Sequence, residues 1–567
     1  MKRSTLTCLL VLVSGQLVVK AAEIATPNLG NVLPPAQRDR VWDSSPAPMP
    51  ALVIEDPPVA SGNSPTQELS FEVKQLQILG NSVFDVDTLH ALVADAQGKW
   101  LTLSELDLLA KRIADFYHAR GYPLARAVTP AQIIRDGKVR IVVVEAAYGR
   151  IAIDNQTRLN DKLLKDMTAS LQPGNVVEAT ALNQSLLMLS DVPVGVSAVL
   201  QPGDRSGTSD LLLRLTPGPE VEGNVLLDNY GNSYISPYRV AGTLNINNPM
   251  QQGDVLTVGV LGSAQDGGVG HLSYGRLGYE VLLNGRGTRA GLAYSSLDYR
   301  LGGAFSTIDA HGTAKVVSEW IRQPLRRSRE SNLYFQMQLD QTELLDRIDS
   351  SGVRTDRDME ALSLTLSGDY KDQWLSAAVN TWSAAWSGSN LSFSNAAALA
   401  SDADAAKTQG FQAKWNFSAS RLQELGSAHF LLISFAGQWA NSNLDQSQKM
   451  SIGGPYSVRA YDVGSLSGDQ GYRVTLEYRY DAGSWLSGHV QWIAFVDTAS
   501  VAINRYPWGT SMNTGTLSGA GLGLNWRGLN RWTGLLYIAS PTRANSDNAQ
   551  VNAQNTLKIW VELGRHF

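Results

Sequence analysis

Cysteine is almost missing from this chain: its 567 residues contain one, Cys8. Cys8 lies in the N-terminal leader, so the body of the protein has no disulfide, no thiol nucleophile and no cysteine-ligated zinc site. Charge is scarce too, at 17% of residues against roughly 25% in soluble domains. Mean hydropathy is nevertheless only −0.13, and beyond the N-terminus no uninterrupted apolar run reaches about 18 residues, which argues against a helical membrane protein. The net charge of −5 gives no nucleic-acid signal. Catalytic patterns are absent as well. The seven histidines include no His-Glu-x-x-His spacing, there is no Walker A loop, and Gly519, Gly521 and Gly523 alternate as strand glycines rather than forming a dinucleotide turn. Asp340 and Glu343 read as solvated groups rather than an acid/base pair. Nothing points to an enzyme, a metal or a cofactor.

What the chain does have is a two-residue period. From Arg473 the residues Arg473, Thr475, Glu477 and Arg479 fall on one strand face, and Val474, Leu476, Tyr478 and Tyr480 on the other. The last strand repeats the pattern, with Leu557, Ile559, Val561, Leu563 and Phe567 on one face and Lys558, Trp560, Glu562 and His566 on the other. A soluble sandwich strand can alternate this way. Repetition over hundreds of residues favours lipid outside and a wet lumen inside. Trp320, Trp374, Trp415, Trp439, Trp492, Trp526 and Trp560 recur through the region as interface girdles require.

The motif Val458-Arg459-Ala460-Tyr461 follows Gly453-Gly454 and precedes Gly468-Asp469-Gly471. It resembles the loop-six region of two-partner secretion transporters (TpsB, of the ShlB/FhaC/HecB haemolysin secretion/activation type), within the superfamily of POTRA-bearing barrels that includes BamA. Asp228-Asn229-Tyr230-Gly231 with Asn247-Asn248-Pro249 and Gly253-Asp254 is similar to that family's first barrel hairpin. Pro324-Leu325-Arg326-Arg327-Ser328-Arg329 with Asn332-Leu333 is similar to its mid-barrel signature. Ala460 departs from the pattern, since many members carry glycine there; an alanine implies a negative φ or a methyl that fits the lumen wall.

The expected domain order follows. Residues 1–22 read as a signal peptide, with Lys2-Arg3 before an apolar stretch and Ala21-Ala22 at the cleavage site. Residues 23–68 are a proline-rich linker, extended or disordered, in which only 35–42 could start a short plug helix. Residues 69–146 show a β-α-α-β-β order and resemble a first POTRA domain. Its helices are expected at 87–93 and 103–117, and its closing hairpin of 125–132 and 139–145 turns at Asp136-Gly137. The pattern recurs over 147–218, with Asn160 capping a helix that reaches Leu171. The remaining 219–567 form a transmembrane antiparallel β-barrel; the family's sixteen strands would receive about 22 residues each, against the roughly 10 needed to cross.

The resemblance implies an outer-membrane translocator with its POTRA domains in the periplasm, secreting a partner exoprotein, a TpsA-type adhesin, haemolysin or toxin. The exoprotein's N-terminal secretion domain would be captured on POTRA edge strands. An assembly or translocation factor for other outer-membrane proteins and a passive solute porin are the competing readings. Further partners implied are outer-membrane lipid and, through the terminal Phe567, the barrel-assembly machinery. The stretch 490–497 sets Phe495 and Asp497 on one face, with Val490, Trp492, Ala494 and Val496 opposite. Phe495-Val496-Asp497 resembles the strand motif that receives the loop-six arginine, so Arg459 is expected to meet Asp497 inside the barrel through a charge-assisted hydrogen bond.

Overall fold

The computed structural model describes residues 51–54, 70–264, 270–509, 512–545, 551 and 556–567. The expected signal peptide and the 35–42 helix lie outside the described residues. Within the linker, β1 (Ala51–Ile54) is a strand rather than polyproline or disorder. Four residues between Pro50 and the acidic Glu55-Asp56-Pro57-Pro58 stretch are free of proline, so their amides remain able to pair.

In the first α/β unit, β2 (Phe71–Val73) and β3 (Gln75–Leu79) are separated at Lys74. The amides of Lys74 and Gln75 both turn to the Gly137 carbonyl, at 2.8 and 3.1 Å. Helix α1 (Val86–Val93) starts at Asp85, whose carboxylate accepts from the Thr88 amide at 2.6 Å. The short β4 (Lys99–Leu101) pairs with β2. Helix α2 (Leu103–Ala119) opens on a Thr102/Glu105 capping box and buries Leu106, Leu109, Ile113 and Tyr117. Strands β5 (Arg126–Val128) and β6 (Lys138–Val144) complete a sheet of order β3-β6-β5. The hairpin is shorter than the sequence suggests. Asp136 and Gly137 do adopt the left-handed turn, at φ 53° and 68°. However, β5 stops two residues before Pro130, which has no N–H to give. The Gln132 side chain takes over, bonding both the amide and the carbonyl of Arg140 at 2.8 Å.

The second unit runs β7 (Ala147–Asn155), α3 (Asp161–Met167), α4 (Ala179–Ser190), β8 (Val194–Pro202) and β9 (Thr208–Pro217). Asn160 caps α3, but the helix ends at Met167 and not Leu171, where Thr168 turns its hydroxyl back to the Leu164 carbonyl at 2.9 Å. The sheet order is β1-β8-β9-β7, with β1 parallel to β8. Strand β8 starts beside Pro217, where the chain leaves for the barrel, and ends beside Ser209.

Sixteen antiparallel strands then close a barrel. They begin with β10 (Val221–Asp228), β11 (Tyr238–Asn247), β12 (Val255–Ala264), β13 (His271–Leu282) and β14 (Arg289–Arg300). Next come β15 (Ala310–Arg327), β16 (Ser331–Ile348), β17 (Val353–Asp372), β18 (Ala378–Phe393), β19 (Gly410–Gly426) and β20 (His429–Ala440), with α5 (Ala396–Asp404) between β18 and β19. A long loop holds the small hairpin β21 (Met450–Ile452) and β22 (Leu466–Gly468). The wall resumes with β23 (Gln470–Trp485), β24 (Gly488–Ala502), β25 (Thr514–Gly528), β26 (Trp532–Asn545) and β27 (Lys558–His566). No described helix is long and apolar enough to cross a membrane. The alternation of the strands is physical: Leu476, Tyr478 and Tyr480 are exposed while Glu477 and Arg479 are buried inside. Strand β27 likewise exposes Ile559, Val561 and Leu563 and buries Trp560, with Leu557 just before it also exposed.

Three side chains depart from expectation. Trp560 and Trp320 face the lumen instead of a girdle: Trp560 is buried against the long loop, and the Trp320 indole donates to Glu280 at 3.1 Å. Val490, assigned to the outer face, is fully buried, because its register partner in β25 is Trp526 and a bulge in β23 sits opposite it at Asp481/Gly483. The second α/β unit docks on the periplasmic end of the wall. Arg327, in the mid-barrel motif, forms a bidentate pair with Asp191 at the end of α4, at 3.0 and 2.7 Å, and Arg289 donates to the Asp191 carbonyl at 2.7 Å.

One ionised group organises the first unit. Glu145 accepts from Tyr117 at 2.5 Å, from the Val83 amide at 2.9 Å and from the Ser82 amide at 2.8 Å. Burial raises its pKa, yet the hydrogen bonds from Ser82, Tyr117 and Val83 outweigh that and hold the carboxyl below the ordinary value of 4.5. A depressed folded-state pKa adds stability that is present above the unfolded value and is lost as pH falls through the folded one. Glu145→Gln should therefore cost about 1–2 kcal/mol at pH 7, and the gap to wild type should close as pH drops below 4.5. Unfolding of the 70–218 fragment, followed through its sole tryptophan, Trp100, measures this. A gap independent of pH would refute the assignment.

Candidate functional site

The loop between β20 and β23, residues 441–469, turns inward, and Val458, Ala460 and Tyr461 have no exposed surface. Charge fixes its tip. Arg459 reaches Asp497 on β24 through Nε at 2.8 Å and Nη2 at 2.7 Å, and its backbone amide donates to the same carboxylate at 3.1 Å. The third guanidinium nitrogen, Nη1, donates to Glu477 on β23 at 2.7 Å. Arg479 pairs with the other oxygen of Glu477 at 2.8 Å, and Thr475 donates to Asp497 at 2.9 Å. Two cations and two anions thus share one enclosure, which leaves no uncompensated charge within the cluster.

Shape does the remaining positioning. The Arg459 guanidinium stacks 3.4 Å above the Phe495 ring and 4.7 Å from that of Tyr537. These groups approach β25 closely because it presents glycines. A Cβ on Gly519 would lie 2.3 Å from that of Ala460; one on Gly521 or Gly523 would lie 2.5 Å from the ring of Phe495 or Tyr537. Ala460 is not among the positive-φ residues, and its methyl seats on Gly519. On the far side, Trp560 donates to the Arg459 carbonyl at 2.7 Å and Tyr461 to the Arg543 carbonyl at 2.9 Å.

The structure brings together Val458, Arg459, Ala460, Tyr461, Phe495 and Asp497. Glu477 joins them as a second acceptor that sequence reasoning passed over. The signal for it was its shared face with Thr475 and Arg479, but choosing it requires the register Thr475↔Asp497 and Glu477↔Phe495. The loop has further anchors. Asp445 pairs with Arg357 of β17, Lys449 donates to the Ile503 carbonyl at 2.9 Å, and Lys558 of β27 pairs with Asp462 at 2.7 Å. Asp228 and Tyr230 of the first hairpin also line this end: Arg239 holds Asp228 at 2.8 and 3.1 Å, and Tyr230 packs edge-on against Tyr456 and Trp560.

Phe567 stands apart from this cluster, half-exposed on the outer face at the periplasmic end. Its amide and carbonyl both pair with Gly223 of β10, at 3.0 and 3.1 Å. Among the described residues, Asp309, His311 and Asp349 could converge on a metal ion; Asp309 is already paired with Arg300 at 2.8 Å.

Removing one partner of the buried pair leaves the other charge stranded, at about 3–5 kcal/mol. Arg459→Ala and Asp497→Ala should each lower the temperature at which the folded barrel loses its heat-modifiable form, with the double variant less than additive. In Asp497→Ala, and in Gly519→Val, whose side chain occupies the Ala460 seat, trypsin should cut after Arg459 where wild type resists. Additive defects, or resistance in both variants, would remove the cluster as the loop's anchor.

Comparisons with known proteins bear on the family and the fold. The family model for haemolysin secretion/activation protein ShlB/FhaC/HecB matches residues 207–526, and that for the ShlB-type POTRA domain matches residues 71–146. The heme/hemopexin transporter protein HuxB of Haemophilus influenzae is 27% identical over 514 residues, covering 88% of each chain. The outer membrane transporter CdiB of Escherichia coli is 25% identical over 511 residues, covering 86% of this chain and 81% of that one. The solved structure of CdiB from Escherichia coli superposes with a TM-score of 0.69 at 21% identity, covering 94% of this chain and 95% of the other. That of CdiB from Acinetobacter baumannii gives 0.61 at 19%, covering 91% of each. The chain belongs to the ShlB/FhaC/HecB haemolysin secretion/activation family, the outer-membrane transporters of two-partner secretion.

Proposed function

We propose that this transporter captures the N-terminal secretion domain of an unfolded exoprotein on its periplasmic α/β units, a first and a second POTRA domain, and passes it extended through the barrel. No enzymatic step is involved. The observation that carries this reading is the loop-six latch: a buried two-cation, two-anion cluster seals Arg459 inside the lumen. A seal made of buried ion pairs is strong only while it stays dry, and an incoming chain that hydrates it weakens every pair at once. Displacement of the loop then opens the path. Client recognition is backbone-directed, since sheet edges such as β5 and β7 offer amide rows that accept any extended segment, while alternate side chains set register.

Lipid contacts the exposed apolar face, and the barrel-assembly machinery receives the chain through its terminal aromatic residue. Phe567 has two separable parts in this role, its ring and its backbone pair with Gly223. Phe567→Ala keeps the backbone pair and should lower the amount of heat-modifiable barrel through loss of the ring alone; deletion of Phe567 removes both and should lower it further. Wild-type barrel levels in the deletion would sink the assignment.

Capture is tested by proline scanning. Prolines placed singly along β5 and β7 remove edge donors and should abolish release of the exoprotein into the medium while barrel insertion continues. Undiminished release across both scans would place capture elsewhere, and flux of small solutes as the sole phenotype would favour the porin reading.

A further inference from the structure

The lipid-facing side of the last strand carries one residue of a different kind. From Ile559 that face reads Ile559, Val561, Leu563, Arg565 and Phe567, all of them exposed. Arg565 is set among apolar groups on every side. Leu563 and Phe567 flank it along the chain, and its register partners across the two neighbouring ladders are Val225 of β10 and Trp532 of β26. Among the described residues no carboxylate pairs with it, and its guanidinium lies 5.5 Å from the centre of the Trp532 ring.

A guanidinium on a membrane-facing wall needs an anion, because hydrocarbon does not solvate it. The cost of an arginine there falls steeply toward the interface, and Arg565 lies at the periplasmic end, where β27 finishes and the chain from the second α/β unit enters β10. It is one two-residue step, about 7 Å, nearer the membrane centre than Phe567, a distance its side chain spans by turning its charged end toward the headgroups. The indole attracts the cation through its ring face and takes none of its N–H donors. The fork is therefore free for two phosphate oxygens. The adjoining turn, Leu529–Arg531, joins β25 to β26. Leu529 is 70% exposed there, and Arg531, just before Trp532, is exposed and without an ion pair among the described residues. An exposed leucine beside a tryptophan and two arginines suits the boundary between acyl chains and headgroups.

We infer that Arg565 and Trp532 form a binding site for the phosphodiester of an anionic phospholipid in the periplasmic leaflet, with Arg531 at its margin. A headgroup that carries its own ammonium brings an internal counter-ion, so a net-anionic lipid is preferred. Arg565 belongs to the strand that closes the barrel, and lipid held there braces the periplasmic end of the seam between β27 and β10. The inference concerns the wall and is independent of what the transporter carries.

The test uses the full-length transporter, purified in detergent and mixed with equal amounts of phosphatidylglycerol and phosphatidylcholine. In native mass spectrometry wild type should retain phosphatidylglycerol about tenfold better than Arg565→Gln. Arg565→Lys should fall between them, since an ammonium keeps the charge but not the fork. Trp532→Leu keeps an apolar side chain in the wall and should also lower retention, which decides the matter if Arg565→Gln inserts poorly. In nanodiscs, replacing part of the phosphatidylcholine by phosphatidylglycerol should raise the temperature at which wild type loses its heat-modifiable form and leave that of Arg565→Gln unmoved. An arginine with a purely structural role would give no such lipid dependence. Excess inorganic phosphate should leave the retained lipid in place. Equal retention by wild type and Arg565→Gln, or an equal thermal response to phosphatidylglycerol, overturns the inference; displacement by inorganic phosphate overturns the lipid assignment in favour of a free-anion site.

Discussion

In hydrocarbon there is no water to satisfy an amide, so a membrane-crossing sheet must close on itself. Closure here depends on the junction of the first and last strands. That junction is short: β27 pairs with β10 over Asn224↔His566 to Asp228↔Glu562, against a ladder from Val221 to Asp228 between β10 and β11. Each end is extended by residues outside the ladder. Phe567 and Gly223 exchange two backbone hydrogen bonds at one end, and Asn229 bonds the backbone of Val561 and Ile559 at the other. Everything inside the lumen relies on this ring staying shut.

The loop within the lumen in turn ties the ring together. Its tip touches both sides of the junction: Trp560 and Lys558 belong to the last strand, while Tyr230 and Asn232, which donates to the Val463 carbonyl at 3.2 Å, follow the first. The loop within the lumen therefore also bridges the shortest ladder in the wall. The cluster that holds it is balanced in charge and floored by strand glycines, so its position is set by electrostatics from β23 and β24 and by close contact on β25. Neither is sufficient alone. An arginine without the glycine floor would have no room for Ala460 beside it, and a glycine floor without Asp497 would leave the guanidinium unpaired.

The strand pattern was legible because its cause is local. Which face of β23, β24 and β27 meets lipid follows from side-chain parity alone, and Asp497 followed from parity combined with a resemblance of motif. What escaped depends on register or on distant pairing. Glu477 becomes a partner of Arg459 only once β23 and β24 are aligned. The tryptophans misled for a related reason: an aromatic count ignores which face each residue occupies, and Trp320 and Trp560 use their indole N–H groups on lumenal acceptors. Helix α3 and strand β5 ended early because Thr168 and Pro130 act on the backbone in ways that apolar periodicity does not register. Strand β1 was the furthest from view. Its four residues are ordinary in sequence, and only β8, more than a hundred positions away, gives them a conformation.

The parallel sense of that pairing also has a vectorial meaning. Strand β8 begins beside Pro217, next to the barrel, and runs away from it toward the first unit. Any segment seated in the same sense lies with its amino end toward the pore and its carboxyl end toward the periplasm. The linker strand β1 therefore enters the second unit on the side of the wall and leaves it on the far side, so the direction of the chain is set where the periplasmic sheet meets the barrel.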